Sequence, residues 1–403
     1  MREKNSFILI IYPEALTRNP GSTRIQRMIR SLSPEKKIVL LTKGPKKEIK
    51  QTSWGFLLTT EQASSKNQEE HTKKNIKKKL QSFKSKIANT FLCPDAGVWW
   101  TQKVLAEESF SFYFSLCDIV ISSSPPNSVH LLALKLKKKY SLTWFMDMRD
   151  GWIDEPLKKT LFFLKPLEKK QEALCLKECD KIIANTNHWA DKLVERFPFF
   201  KEKIKVIYNS IEDQISCLFE IKDKPQEKFL LHSGSFRVSD ERRELQFVLK
   251  PLLESLKKNS LRKIIFIGKL NETDRKELSS YQENPHGITL EALGEVSKET
   301  IEKHLREASG FFLSSHSYSA LPSKFLDYLS THKAILCFCE KDSSLDKISA
   351  RISSCFSVDL KKPSIETIQL FIKAIETPLP KRGEEELAFL REATFKRELL
   401  SLL

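Results

Sequence analysis

Residues 119–146 read Ile119-Val-Ile-Ser-Ser-Ser-Pro-Pro-Asn-Ser-Val-His-Leu-Leu-Ala-Leu-Lys-Leu-Lys-Lys-Lys-Tyr-Ser-Leu-Thr-Trp-Phe-Met146. A short apolar run, Ile119–Ser123, stops before Pro125 and Pro126, residues that suit a sharp turn and the first position of a helix. Asn127–Lys139 is a helix-like stretch, and Leu142–Met146 is a second run too short to be a helix. The apolar runs are continuous, as in strands covered on both faces. This is the strand–helix–strand unit of a parallel sheet buried between layers of helices.

The same rhythm extends in both directions. Strand-like runs occur at Phe7–Ile11, Ile38–Thr42, Phe56–Thr60, Lys181–Asn185 and Lys205–Asn209. A second series follows at Phe229–Ser233, Ile264–Gly268, Ile288–Leu293, Gly310–Ser315, Ala334–Cys339 and Cys355–Val358. Helix-like stretches between them include Ser22–Leu32, Leu157–Lys177, Glu241–Lys257, Ser297–Ala308, Ser323–Ser330 and Ser364–Ile375. So many strands exceed one ordinary sheet, and the polar stretch Glu212–Glu227 is the natural break. The expectation is two doubly wound, Rossmann-like α/β domains, 1–210 and 227–380, with a linker at 211–226 and a terminal helix within 381–403.

The 403 residues, 40% of them apolar, provide for two cores and exclude a disordered chain. Lys and Arg outnumber Asp and Glu by 68 to 52, a net charge of +16 that favours an anionic partner. No apolar run approaches a membrane span, and the stretch after Met1 lacks the length and small-residue cleavage site of a signal peptide. The eight cysteines, such as Cys175 with Cys179 and Cys337 with Cys339, have neither CxxC nor zinc-like spacing. They read as reduced thiols of a cytoplasmic protein, and no metal site is expected.

In such sheets ligands bind outside the carboxyl ends of the strands. After the first strand come Gly21 and Arg24, with Arg18 upstream, at a helix entry where backbone amides can receive an anion. The densest segment is Asp147-Met-Arg149-Asp150-Gly-Trp152: carboxylates for hydroxyls or protons, a guanidinium for phosphate, an indole for a sugar face. An Arg–Asp ion pair closing a turn is the alternative. In the second half Gly234 and Arg237 end a strand, and Arg242 and Arg243 fall at an expected helix start, where cations conflict with the macrodipole unless an anion is bound. Pro322 opens a helix with Ser323 and Lys324, and Asp327 follows one turn later; a plain Lys–Asp helix pair is the alternative. His130 is expected to be packed or exposed helical histidine.

These pieces, in this order, resemble a GT-B glycosyltransferase of the family 4 type that builds surface polysaccharide. The resemblance rests on Gly21-Ser-Thr-Arg24, Cys93-Pro-Asp95 with Trp99, Asp118-Ile-Val-Ile-Ser-Ser-Ser-Pro-Pro126 and the Asp147–Trp152 motif. Cys179-Asp-Lys-Ile-Ile-Ala-Asn-Thr186, Lys205-Val-Ile-Tyr-Asn209, Leu321–Leu329 and Lys333-Ala-Ile-Leu336 complete it. It implies two domains facing a cleft, a C-terminal helix returning to the N-terminal domain, and sugar transfer with retention and without a catalytic metal. It implies donor phosphate binding by Gly234, Arg237, Arg242 or Arg243, Ser323 and Lys324, and donor ribose and sugar binding by Asp327 and Ser319. Asp147, Arg149 and Asp150 then serve catalysis on the acceptor side, with Gly21 and Arg24 in an acceptor or phosphate loop. The family often has two glutamates eight positions apart where this chain has Ser319 and Asp327.

A nucleotide-sugar epimerase of the same fold and a non-catalytic scaffold are the competing readings; no His/Asp/Glu cluster of an epimerase kind is visible. Nucleic acid is not an expected partner, because no reader motif accompanies the charge. The segment His71–Asn89 carries seven lysines and no acid, with Ile76, Leu80, Phe83 and Ile87 at helical spacing. It is expected either to pack on the core or to touch an anionic membrane, placing a cytoplasmic enzyme on the inner face of the membrane.

Overall fold

The five residues of β1 (Phe7–Ile11) are all buried, because both faces of this strand are covered. Phe7, Leu9 and Ile11 join a core layer with Val39, Leu41, Val120 and Met146, while Ile8 and Ile10 are buried toward the opposite face. This computed structural model describes residues 7–17, 19–61, 92–155, 157–158, 160–211, 228–256, 261–284, 287–377 and 384–403. The expected linker, apart from Ile211, and the lysine-rich segment 71–89 lie outside the described residues, as does Arg18.

β1 is followed by β2 (Lys37–Gly44), β3 (Glu48–Thr52), β4 (Gly55–Glu61), β5 (Cys117–Ser124), β6 (Thr143–Met148), β7 (Lys181–Ala184) and β8 (Ile204–Val206). They form one sheet in the order β3-β4-β2-β1-β5-β6-β7-β8, parallel except for β3, which pairs antiparallel with β4. β3 is the strand the sequence does not announce. Glu48-Ile-Lys-Gln-Thr52 is polar and largely exposed, as an edge strand can be. Gly55 makes the turn possible: its φ is 139°, and a Cβ there would lie 2.0 Å from the Ile38 carbonyl oxygen.

The second sheet contains β9 (Phe229–Ser233), β10 (Lys263–Ile267), β11 (Thr289–Gly294), β12 (Gly310–Ser315), β13 (Ala334–Cys339) and β14 (Cys355–Asp359). Its order is β11-β10-β9-β12-β13-β14, all parallel. Leu230 packs in one apolar layer and Phe229 and Leu231 in the other, so this sheet too is covered on both faces. The chain divides into two units: residues 1–207 with 396–403, and residues 208–395. Within the first, Lys205 Nζ lies 2.8 Å from Glu398 Oε2.

Several helices differ from their sequence expectation for local reasons. The helix Pro20–Leu32 begins early, because Asn19 closes a capping box: its side chain accepts from Ser22 N at 2.7 Å, and its own N–H donates to Ser22 Oγ at 3.1 Å. The helix expected from Leu157 begins only at Lys165, after a 3-10 turn at Phe162–Leu164, with Pro166 in its first turn. The helix expected from Glu241 begins at Gln246, because the Asp240 carboxylate accepts from Arg242 N at 3.1 Å and holds the chain in a turn. The terminal helix is broken into Glu384–Leu387, a 3-10 turn at Ala388–Leu390, and Glu392–Leu400. Among the described residues the cysteines are free thiols, five of them buried, and no helix is long and apolar enough to cross a membrane.

Candidate functional sites

Each sheet has one place where the order of connection reverses, and there the loops leave in opposite directions. In the first unit this is between β1 and β5. The loop after β1 brings Tyr12, Asn19 and Gly21; the end of β5 brings Ser124 and Pro125; the end of β6 brings Arg149. Arg149 Nε donates to the Ser124 carbonyl at 2.8 Å and Nη2 to the Pro125 carbonyl at 3.0 Å. Its guanidinium carbon lies 4.7 Å from the centre of the Tyr12 ring. Tyr12 in turn donates to Asn19 Oδ1 at 3.2 Å, and burial raises its phenol above the usual range. Gly21 is required by this cluster, since a Cβ would fall 2.0 Å from Arg149 Nη1 and 2.2 Å from Tyr12 Oη. Gly21 and Arg149, distant in sequence, are therefore in contact.

Asp150 is partly buried beside them and makes no hydrogen bond among the described residues. Burial raises its carboxyl, opposed by the Arg149 charge and reinforced by Asp147. A carboxyl of raised proton affinity next to an arginine can orient a hydroxyl or exchange a proton.

Asp147 and Arg24 are placed differently from the sequence expectation. Both are 0% exposed and bound to each other: Arg24 Nη2 to Asp147 Oδ1 at 2.7 Å, with Arg24 Nε 3.1 Å from both carboxylate oxygens. Ser123 Oγ donates to Asp147 Oδ2 at 2.6 Å, and Arg24 Nη1 to the Ile207 carbonyl at 3.1 Å. With no exposed surface, neither touches a substrate. The Arg–Asp pair read as the alternative does exist, but its arginine is Arg24 and not Arg149. Trp152 is corrected likewise: it is 0% exposed, 5.8 Å from the His130 ring, and offers no face to a sugar. His130 is packed and neutral. Trp144 Nε1 donates to Ser122 Oγ at 2.7 Å, and Ser122 Oγ and His130 Nδ1 share a hydrogen bond of 2.8 Å. Burial lowers the pKa of His130 to about 3.

In the second unit the order reverses between β9 and β12. Only Gly310 with Leu230 and Phe311 with Leu231 pair there, after which the strands part. Two side chains occupy the gap. His232 Nδ1 lies 3.1 Å from the Phe312 carbonyl, and Tyr328 Oη accepts from Ser233 N at 2.6 Å. His232 is buried against Phe236, 4.4 Å between ring centres, and burial lowers its pKa to about 3.

The carboxyl ends of β9, β10 and β11 carry Gly234, Gly268 and Gly294, with φ of 144°, 131° and 71°. Gly234 N donates to the Ile267 carbonyl at 2.7 Å and Gly268 N to the Gly294 carbonyl at 2.8 Å. This edge is bare backbone, a feature of sites where a ligand approaches closely. Of the three, the sequence reading found Gly234 only.

The three arginines of this loop have unequal partners. Arg237 is held by Glu277, by Asp274 at 3.2 Å and by Glu244 at 3.2 Å. Arg242 is held by Asp240, with bonds of 2.9 and 2.8 Å. Their charges are satisfied by the protein, and the helix-start argument no longer applies because the helix begins later. Arg243 is the exception. It makes no ion pair among the described residues: Nη1 donates to Ser239 Oγ at 3.1 Å, and its buried Nε has no partner. Burial lowers its pKa, opposed by Asp240, and both Arg243 and Lys324 act electrostatically on His232. Lys324 lies 3.5 Å from Asp327, an exposed pair at the start of the helix Ser323–Leu329. Ser319 is 2% exposed, with its carbonyl accepting from Ser344 Oγ at 2.7 Å, so direct contact with a sugar does not fit its position.

A glycosyltransferase from Rickettsia africae has the same architecture, with a TM-score of 0.60 at 12% identity over 98% of this chain and 93% of that one. So does HepE of Anabaena in complex with UDP and glucose, with a TM-score of 0.58 at 11% identity over 99% and 100% of the two chains. The chain has the GT-B fold. UDP-GlcNAc 2-epimerase from Methanocaldococcus jannaschii also aligns with this GT-B chain, with a TM-score of 0.50 at 12% identity over 98% of each. In sequence, residues 97–214 match Glycosyltransferase Family 4, a stretch that includes Asp147, Arg149 and Asp150. No curated protein sequence matches the chain.

Proposed function

We propose that this GT-B chain is a retaining glycosyltransferase that moves a sugar from a nucleotide-sugar donor to a glycan or lipid-linked acceptor in cell-surface polysaccharide synthesis. The observation that carries the donor site is Arg243, a cation without an ion pair among the described residues, which acts electrostatically on His232 at the β9/β12 reversal. The nucleotide diphosphate lies along the glycine edge, with Ser323 and Lys324 across from it and Asp327 on the ribose. As the glycosidic bond breaks, negative charge moves onto the β-phosphate, and Arg243 and Lys324 stabilise it more in the transition state than in the ground state. The reading asks for no catalytic metal.

The first unit holds the acceptor. Asp150 orients its hydroxyl, and Arg149, fixed by the Ser124 and Pro125 carbonyls, supplies a positive field near the reacting atoms. Arg24 and Asp147 are positioning residues that hold the β5 and β6 ends together. The match of residues 97–214 favours transfer over epimerisation. The enzyme works in the cytoplasm, at the inner face of the membrane where lipid-linked acceptors are available.

The test is a thermal-shift series with UDP, GDP, ADP and dTDP, since a bound ligand raises stability by mass action. Arg243→Met should weaken nucleoside diphosphate binding by roughly 10-fold or more, as expected for a charge-assisted contact, and leave nucleoside binding unchanged. Equal loss for both would remove Arg243 from the phosphates. Product analysis without acceptor separates the epimerase, which converts the donor alone.

A further inference from the structure

The surface around Leu157–Lys177 has a composition that the transferase chemistry does not use. Phe162 is 86% exposed, Phe163 58%, Leu157 51%, Leu167 46% and Leu174 43%. Single exposed apolar side chains need no explanation, but here five fall within eighteen residues. The same stretch exposes Lys165, Lys169, Lys170 and Lys177.

Two of the three acids of this helix face the other way, and the third, Glu178 at its last position, is paired with Lys138 at 3.6 Å. Glu168 is 3% exposed and bound to Lys158, and Glu172 is 0% exposed and bound to Arg196 at 2.7 Å. Burial raises the Glu172 carboxyl, and the Arg196 bonds oppose that rise. On the helix Lys165–Glu178, Leu167, Lys170, Leu174 and Lys177 follow one another at steps of three and four residues, which places them on one outward stripe. Phe162 and Phe163 sit on the 3-10 turn that leads into it. The stripe therefore alternates leucine and lysine, with two phenylalanines at its start and its first two acids turned inward.

We infer that this face of the first unit docks on an anionic lipid surface. The apolar side chains enter the boundary of headgroups and acyl chains, and the lysine stems lie along them with their ammonium groups among the phosphates. Lysine is depleted at protein–protein interfaces and effective at anionic headgroups, which distinguishes a bilayer from a protein partner. The inference stands on described surface residues and not on the lysine-rich 71–89 segment; it deepens the membrane placement proposed above by naming the surface that makes the contact, and its test does not depend on transferase activity.

Vesicle co-sedimentation of the full chain, without donor or acceptor, tests it. Binding is expected to phosphatidylcholine vesicles containing phosphatidylglycerol, to fall as salt is raised, and to be absent with phosphatidylcholine alone. Phe162→Ser with Phe163→Ser, and separately Lys169→Glu with Lys170→Glu, should each weaken binding by about tenfold or more. These positions are exposed, and unchanged melting temperatures would show that both variants fold. Binding indifferent to lipid charge overturns the inference, as does binding unchanged by both pairs. Binding lost only on charge reversal of Lys77, Lys78 and Lys79 would move the contact to the other segment and overturn it too. If vesicles are not bound but the phenylalanine pair abolishes self-association in ultracentrifugation, the face belongs to a second copy of the chain.

Discussion

Replacing Asp147 by alanine should destabilise the first unit by about 3–5 kcal/mol, the usual effect of removing one partner from a buried ion pair. The magnitude follows from what is left behind. The Arg24 guanidinium is 0% exposed and would lose a carboxylate that meets both Nε and Nη2. Ser123 Oγ would lose its acceptor at 2.6 Å, itself worth about 1–3 kcal/mol when buried. Arg24→Met combined with Asp147→Leu removes both charges at once and should recover most of the loss. Urea unfolding of the wild type, Arg24→Met, Asp147→Leu and the double variant, followed through the tryptophans of this unit, gives the double-mutant cycle. For a unit of this size the single variant should melt roughly 6–20 °C lower. A loss below about 1 kcal/mol for Asp147→Ala, or a double variant as unstable as the single, would refute a structural pair. If Asp147 instead acted directly in catalysis, activity would disappear with little change in melting.

Asp150→Asn should reduce turnover far more than nucleotide affinity, read as kcat against nucleotide Kd; full activity would return Asp150 to a structural role. Gly21→Ala must displace the Arg149 guanidinium from the Ser124 and Pro125 carbonyls and the Tyr12 hydroxyl from Asn19, so stability should fall by about 1–3 kcal/mol and turnover should fall with it; an unchanged rate would separate Arg149 from the chemistry. His130 and His232 have folded pKa values lowered to about 3, below an unfolded value near 6.5. The unfolded chain therefore binds more protons between those limits, and stability falls on acidification through that window by up to about 1.4 kcal/mol per pH unit for each histidine. Urea midpoints between neutral and mildly acidic pH measure it, and His130→Gln should flatten the slope.

The doubly wound pattern was legible because its central strands are covered on both faces. Phe7–Ile11, Phe229–Ser233, Gly310–Ser315 and Ala334–Cys339 were read with their observed limits, since a continuous apolar run has only one such use in a buried sheet. β3 was not legible: its residues are polar, and what makes it a strand is the turn at Gly55 and the neighbour β4. The candidate sites were legible as places and less so as partners. Asp147 stands two residues from Arg149, yet its cation is Arg24, 123 positions away. Arg237 similarly finds Asp274 and Glu277, 37 and 40 positions along the chain. Such pairs have no local signature, so sequence reading assigned to ligand binding several charges that the fold had already satisfied. Arg243 differs from its neighbours only in what does not surround it.

The division of the chain also has a consequence for synthesis. Residues 1–207 leave the ribosome before Tyr208–Phe395, but the contacts of the first unit are completed by Lys396–Leu403. At about 5–20 residues per second, the intervening unit occupies the ribosome for roughly 10–40 s. Through that interval Lys205 waits for Glu398, its partner in the finished unit. Of the two units, the one begun earlier is completed later.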